Sequence, residues 1–377
     1  MSRVLVTGAA GFIGSAATAA LAALGLDVVA VDRDDRVTAI TGDVDVIGAT
    51  EFTGRLAGGG PSPLDSIDAV IHLGANADTM SSDVRSYRDD NYRLTAALLE
   101  ACAARRLRGV YASSAAVYGA AGSAVDGNPD GRPLNLYGWS KLAADIRARR
   151  LIAHGAPLLG LRFFNVYGPN EAHKGRMASM VHQMVERVRR DAPIQLFGAS
   201  HGVDAGAQRR DFIAVGDVVA VIAWAIEHPE VGGVVDCGTG TALTFNEVAG
   251  AVTRQCGRGA VEYVPFPTEL RDRYQAHTLA DPRALRSAGF DRPFTSIDDG
   301  VAALVSTEPG VDTALIGADQ RGLIDTAPLR ADQRGLIDTA PLRADQRGLI
   351  DTAPLRADQR GLIDTETASP EPSAPTS

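Results

Sequence analysis

Residues 4–24 read VLVTGAAGFIGSAATAALAAL. The apolar run Val4 to Val6 gives way at Thr7 to three spaced glycines, Gly8, Gly11 and Gly14, and then to an alanine-rich segment. This order predicts a strand, a tight turn and a helix. The glycines differ in what they permit. Gly8 allows the turn, Gly11 lets backbone approach a pyrophosphate with no Cβ in the way, and Gly14 lets helix and strand pack closely. The helix start then offers free N–H groups and the positive end of a dipole to phosphates. Glycine is common in this chain, 40 of 377 residues, so the triplet counts only through its setting. That setting includes Asp32, which ends the next apolar run, Val28 to Val31, 18 residues after Gly14. The stretch therefore predicts dinucleotide binding at the head of the chain.

A chain of 377 residues can bury a sizeable core and suggests two or three domains. Its 45% hydrophobic and 22% charged residues describe an ordinary globular composition. The net charge of −9 argues against nucleic acid or an anionic membrane as partner. Cys102, Cys237 and Cys256, odd in number and far apart, form neither a disulfide framework nor a metal-ligand spacing, and fit a reducing cytosol. Val4 to Ala30 is apolar enough to imitate a signal peptide. Its glycines fall at turn positions, Asp27 interrupts it and Arg3 is its one leading cation, so no targeting segment is expected and a cytoplasmic location is.

Strand-like runs alternate with helical patterns up to about residue 165: Val4–Val6, Val28–Val31, Ala69–Leu73, Gly109–Ser113 and Leu158–Phe164, with helices over Asn91–Arg105 and Tyr137–Ala153. The alternation predicts an α/β fold, a doubly wound parallel Rossmann sheet. Residues 1–168 are expected to form this domain, with a later contribution from about 211–238. A discontinuous α/β lobe over 169–317 would close over the carboxyl ends of the strands. Beyond residue 165 the expected elements are helices over Met177–Arg190, Asp217–His228 and Phe245–Gln255, and strands over Asp211–Val215, Val234–Cys237 and Val261–Val264. From Ala318 the unit ADQRGLIDTAPLR recurs with a period of 13, each full copy holding two Asp, two Arg, one Gly and one Pro. Those breakers and the sparse apolar residues predict a disordered repeat tail over 318–377.

Tyr137 and Lys141 stand at i and i+4 in YGWSK, so on a helix they face the same way, about 5–6 Å apart at Cβ. A phenol is a poor base at neutral pH, with a reference pKa of about 10. An ammonium beside it, together with a cationic nicotinamide ring, is expected to favour phenolate. The pair can then take a proton from a substrate hydroxyl while hydride leaves the carbon. Ser113 and Ser114 end the strand 23 residues before Tyr137 in the case of Ser114, where a hydroxyl can bond the reacting oxygen. Capping of local backbone suits Ser113 better.

The set TGAAGFIG, Asp32, HLGA at His72 to Ala75, Asn91, SSAAVYG from Ser113, YGWSK and RFFNVYGP from Arg162 resembles the extended short-chain dehydrogenase/reductase family over about residues 1–315. Further segments, NEAHKGRMAS from Asn170, RRDF from Arg209, CGTG from Cys237 and VEYVPFPTELRDRYQAHTLAD from Val261, narrow the resemblance to its nucleotide-sugar epimerases. The resemblance implies cofactor contacts at Gly8, Gly11, Phe12, Ile13, Gly14, Asp32, Arg33, Leu73, Gly74, Ala75, Asn91, Lys141 and Val166. It implies Ser114, Tyr137 and Lys141 as catalytic residues, and Lys174 as a second acid/base group opposite Tyr137, with pairing to nucleotide phosphates as the other reading of Lys174. Substrate contacts would fall on Ser114, Asn165, Arg176, Gln183, Phe197, Arg210 and Tyr274. Arg176 and Gln183 depart from the usual pattern, where Ser and His stand, and the loop Ser200–Gln208 is enlarged.

On the cofactor, Asp32 suits an NAD ribose whereas Arg33 and Arg36 could accommodate a 2′-phosphate; the resemblance favours NADP, with NAD possible. No metal site is expected. The resemblance also implies a nucleotide-sugar substrate and a homo-oligomer, a pentamer by family analogy. Three rivals remain at this point. A 4,6-dehydratase would carry an Asp-Glu pair where Ala115 and Ala116 stand. A 4-epimerase or reductase would share the Ser-Tyr-Lys set. A non-catalytic nucleotide sensor would not need it.

Overall fold

The computed structural model describes residues 2–122 and 131–307. Its strands are β1 (Arg3–Thr7), β2 (Asp27–Asp32), β3 (Asp45–Gly48), β4 (Ala69–His72), β5 (Arg108–Ser114), β6 (Leu158–Phe163), β7 (Asn165–Tyr167), β8 (Ile194–Phe197), β9 (Arg209–Ala214), β10 (Gly233–Cys237), β11 (Ala242–Thr244) and β12 (Val261–Val264). Seven of them form one parallel sheet in the order β3-β2-β1-β4-β5-β6-β10, the doubly wound arrangement. The winding reverses between β1 and β4, where Thr7 lies opposite His72.

These strands read as unbroken apolar runs because helices cover both faces. Val4 and Val6 point to one side, into a core with Leu21 of the helix Phe12–Ala23 and Val218, Val221 and Ile222 of the helix Val215–Glu227. Leu5 points to the other, against Leu98 of the helix Leu94–Arg105 and Ala144 and Ala148 of the helix Leu136–Ala153.

A second group of elements follows β6. β11, β9 and β7 form a three-stranded sheet, and β12 pairs with β8. They pack with the helices Met180–Arg189, Phe245–Cys256 and Ile297–Ser306 around Val181, Val185, Leu196, Val248, Val252 and Val301. The strand expected over 234–237 is β10 and joins the main sheet, while the one expected over 211–215 is β9, shifted to 209–214 and placed in the smaller sheet.

Four strands were not legible as such: β3, β7, β8 and β11, of three or four residues each. The helix expected from Asn91 begins further back, through a π turn over Tyr87–Arg93. The stretch expected as one helix over 177–190 splits into a 3-10 turn, Ala172–Met177, and a helix that Ser179 caps. The repeat tail lies outside the described residues.

A buried charged network ties the main sheet to its covering helix. Arg162 on β6 donates from Nε to Asp145 Oδ2 at 2.9 Å, and Tyr111 on β5 donates to Asp145 Oδ1 at 2.9 Å. Arg162 also donates to the Tyr118 hydroxyl at 2.8 Å, and Tyr118 in turn donates to Asp236 on β10. Asp145 is wholly buried and Arg162 is 2% exposed. Removing one partner of such a pair leaves an uncompensated buried charge. Asp145→Ala is expected to cost about 3–5 kcal/mol in urea unfolding, and Asp145→Leu combined with Arg162→Met distinctly less.

Candidate active site

The glycine turn sits where the winding reverses. Gly8 has φ +72°, and a Cβ there would lie 2.6 Å from Gly74 N. At Gly14 a Cβ would lie 1.9 Å from the Gly8 carbonyl oxygen, so the helix rests directly on the turn. Gly11 is the N-cap of the helix Phe12–Ala23 and has no side-chain cap bond. The first-turn N–H groups, at Phe12, Ile13 and Gly14, are thus left for a ligand, which fits a pyrophosphate.

Asp32 accepts from Ala10 N at 2.7 Å and from Arg33 N at 2.8 Å, so its carboxylate braces the glycine turn from β2. Arg36 donates to the Ala10 carbonyl at 2.7 Å, while the exposed Arg33 pairs with Asp35.

Below the turn, Thr7 Oγ1 lies 2.6 Å from His72 Nδ1, and His72 Nε2 lies 2.8 Å from Thr95 Oγ1. Gly74 N donates to Thr7 Oγ1 at 3.3 Å, which places Leu73, Gly74 and Ala75 along the turn. Burial, with Lys141 a lesser cause, lowers the His72 pKa to about 3, so the ring is neutral. Asn91, 1% exposed, accepts from Asn76 N at 2.7 Å and donates to Ser140 Oγ at 3.1 Å; Ser140 donates to the Tyr137 carbonyl at 2.7 Å. A continuous bonded path therefore joins the strand ends to the helix Leu136–Ala153.

On that helix Lys141 is buried and donates to the Ala112 carbonyl of β5 at 2.9 Å, with Nζ 5.8 Å from the Tyr137 ring centroid. Burial lowers its pKa to about 8, opposed by the charge of Asp145. The Tyr137 pKa is raised, by burial first, against the lowering effect of its hydrogen bond with Ser114. The expected lowering by Lys141 is thus not met in the protein alone: burial dominates, and the ammonium is drawn to a carbonyl. Ser114 combines both roles foreseen for the serine pair. Besides bonding Tyr137, it caps the turn Ala115–Ala121 and accepts from Ala116 N at 3.1 Å, while the buried Ser113 Oγ has no partner among the described residues.

The turn Ala172–Met177 puts Lys174 Nζ 4.7 Å from the Phe12 ring centroid, at the head of the glycine-turn helix, and 3.3 Å from Glu171. Burial first, then Arg36, lowers the neighbouring His173. Val166 lies on β7, paired with Ile213 of β9. Arg176 donates to Asp78 at 3.2 Å, and Gln183 to the Ala178 carbonyl at 2.7 Å, so both are turned to protein partners. Asn165 donates to the Asp211 carbonyl at 3.0 Å and to Thr278.

Phe197, Arg210 and Tyr274 come together. The Arg210 guanidinium lies 4.8 Å from the Tyr274 ring, and Phe197 packs edge-on to Tyr274 at 6.2 Å. Phe266 and His201, not singled out in the sequence, complete the cluster at 5.0 and 5.5 Å from Tyr274. Their segments, VEYVPFPTELRDRYQAHTLAD from Val261 and the enlarged loop at 200, stood out in the sequence, but nothing in them marked these two residues. Glu171 was also missed, although an acid three residues before Lys174 in NEAHKG was its trace. No group of metal-ligating residues occurs among the described residues.

A doubly wound sheet with a glycine turn at its switch point, and a serine, tyrosine and lysine gathered beside it, defines a dinucleotide-binding enzyme fold. The model of the NAD dependent epimerase/dehydratase family matches residues 4–238, and the chain belongs to that family. It is 43% identical over 305 residues to an ADP-L-glycero-D-manno-heptose-6-epimerase of Alkalilimnicola ehrlichii, covering 79% of this chain and 95% of that one. The structure is similar to that of the ADP-L-glycero-D-manno-heptose-6-epimerase of Helicobacter pylori, with a TM-score of 0.66 and 26% identity over 81% of this chain and 95% of the other. It is similar too to MoeE5 in complex with UDP-glucuronic acid and NAD, with a TM-score of 0.65 and 31% identity over 81% and 98%. No helix among the described residues is long and apolar enough to cross a membrane.

The neutral His72 has a titration consequence. Its pKa is about 3 in the folded chain against 6.5 as the reference, so the unfolded state binds a proton first as pH falls. Its contribution is intact above pH 6.5 and is lost as pH drops towards 3. Unfolding free energies measured in urea across that window are expected to fall more steeply in the wild type than in His72→Asn. Gly14→Ala is expected to weaken dinucleotide binding at least tenfold by calorimetry, because its Cβ would displace the helix start from the turn.

Proposed function

We propose that this protein is a nucleotide-sugar epimerase that inverts C6″ of ADP-D-glycero-D-manno-heptose by transient oxidation to a ketone and re-reduction. The observation that carries the reading is the gathering of Ser114, Tyr137 and Lys141 at the end of β5, with a second amine, Lys174, at the glycine turn. The 43% identity to a heptose epimerase supports the choice of sugar.

When bound at the glycine turn, a nicotinamide dinucleotide supplies a reversible hydride acceptor. Tyr137 Oη takes the proton from the substrate hydroxyl, and the Ser114 hydroxyl bonds the same oxygen as it becomes a carbonyl. Lys141 holds positive charge near the phenol, which a cationic ring in the site would reinforce, offsetting the burial that raises the Tyr137 pKa. Inversion needs hydride to return to the opposite face. Lys174 would serve the oxygen after the ketone has turned over. The aromatic cluster around Arg210 would take the nucleotide, the guanidinium meeting the pyrophosphate bidentately.

NADP is proposed as the cofactor. Asp32 spends both carboxylate oxygens on backbone N–H groups, and Arg33 and Arg36 flank the end of β2 where a 2′-phosphate would lie. A homo-oligomer in the cytoplasm completes the proposal. The exposed Leu136, Trp139 and Ile146 on the helix Leu136–Ala153 support self-association.

Incubation with ADP-D-glycero-D-manno-heptose is expected to give C6″ inversion by NMR. Unchanged substrate, or turnover only of a UDP-sugar at C4, would replace this reading with the 4-epimerase one. Tyr137→Phe is expected to lower kcat by roughly 10²–10⁴-fold. The nucleotide released on denaturation should carry a 2′-phosphate; NAD instead would overturn the cofactor assignment alone.

A further inference from the structure

Glu171 is wholly buried, yet it is not one of the groups assigned to the reaction. Its Oε1 accepts from Gly168 N at 3.0 Å and from Ser179 Oγ at 2.7 Å. Its Oε2 accepts from Ser179 N at 2.6 Å and from Lys174 Nζ at 3.3 Å. Four donors on two oxygens use the capacity of a carboxylate fully. Gly168 and Ser179 are the two ends of the loop, so one side chain closes it.

The remaining donor is the amine. Lys174 N donates to the Glu171 carbonyl at 2.9 Å, so the 3-10 turn folds the lysine back over the acid. The Lys174 side chain, 26% exposed, then reaches the face of Phe12. Ser179, held by the same carboxylate, caps the helix Met180–Arg189 through His182 N at 3.1 Å. The loop is thereby fixed at one end to a strand and at the other to a helix.

We propose that Glu171 is the positioning residue for Lys174, holding its amine at the head of the glycine-turn helix. This rests on the reading of Lys174 as the second acid/base group. Glu171 is the carboxylate paired with Lys174; His173 beside it feels the charge of Arg36, and Arg176, further along the turn, pairs with Asp78 instead. Without Glu171 the amine loses that partner and the turn its closing bonds, so the side chain is free to leave the face of Phe12.

The test uses the full chain with Glu171→Gln and Glu171→Asp. Trace acylation of Lys174 by acetic anhydride at a single pH, read by mass spectrometry, reports how freely its amine is reached. Glu171→Gln is expected to raise the acylation rate of Lys174 several-fold, with Glu171→Asp falling between it and the wild type. In the epimerase assay Glu171→Gln is expected to lower kcat by roughly tenfold or more, with KM within about threefold. A merely structural role would raise KM or lower the melting midpoint and leave the Lys174 acylation rate in place. An unchanged Lys174 acylation rate in Glu171→Gln overturns the proposal. If that variant does not fold, an unchanged rate in Glu171→Asp overturns it instead. If the wild type inverts no nucleotide sugar, the functional reading fails while the acylation rate still decides whether Glu171 holds Lys174.

Discussion

The backbone of residue 74 occupies the space where residue 8 would carry a side chain, and most of the site depends on that contact. Because β1 and β4 run side by side with the winding reversed between them, their carboxyl ends must part at this point. Gly8 turns away with a positive φ, and Gly14 lets the helix rest on the carbonyl of the same turn. From there the path is hydrogen-bonded: Thr7 to His72, His72 to Thr95, Thr95 to the Asn91 carbonyl, Asn91 to Ser140, Ser140 to the backbone of Tyr137. The phenol is thus placed by the same strand ends that shape the glycine turn. Two segments that look separate in the sequence share one mechanical origin.

Burial sets the proton states along that path. His72 is kept neutral, so it can bridge two threonine hydroxyls without carrying charge into the core. Lys141 is pulled towards neutrality but keeps a carbonyl to donate to, and the Asp145 charge opposes the loss of its proton. Asp145 is itself engaged by Arg162 and Tyr111, so the charge felt by Lys141 is anchored to three strands and a helix. Tyr137 is pulled both ways, since burial raises its pKa against the lowering effect of the Ser114 bond. On the proposed reading, a cationic ring in the site would be what favours phenolate.

The main sheet was legible because its strands are buried on both faces and read as continuous apolar runs. The glycine turn, Asp32 and the Tyr137–Lys141 pair were legible for a related reason, since their spacing is dictated by local geometry. What was not legible is short or long-range. β7 and β11 have three residues each and gain their pairing only from β9, so no periodicity marks them. Ser113 and Ser114 are adjacent and alternate in direction along β5, and the capping bond expected of Ser113 is made by Ser114, which spacing alone does not show. Phe266 and His201 meet Tyr274 through tertiary packing alone.

On the proposed reading, the departures at Arg176 and Gln183 would bear on the choice of sugar or nucleotide rather than on the redox chemistry. Arg176 is three-quarters exposed and reaches across to Asp78 in the segment after β4, while Gln183 bonds the Ala178 carbonyl. An exposed ion pair of this kind is worth about 1 kcal/mol or less, so a substrate phosphate or hydroxyl could take the guanidinium from Asp78 at little cost. Arg210 is placed differently, 8% exposed and held between two rings, and its direction is set before any ligand arrives. On the proposed reading, the substrate would meet one fixed guanidinium and one that can be recruited. The fixed group would suit the part of a substrate that stays still through inversion, the nucleotide. The recruitable one would suit the sugar, whose reacting carbon must present first one face and then the other.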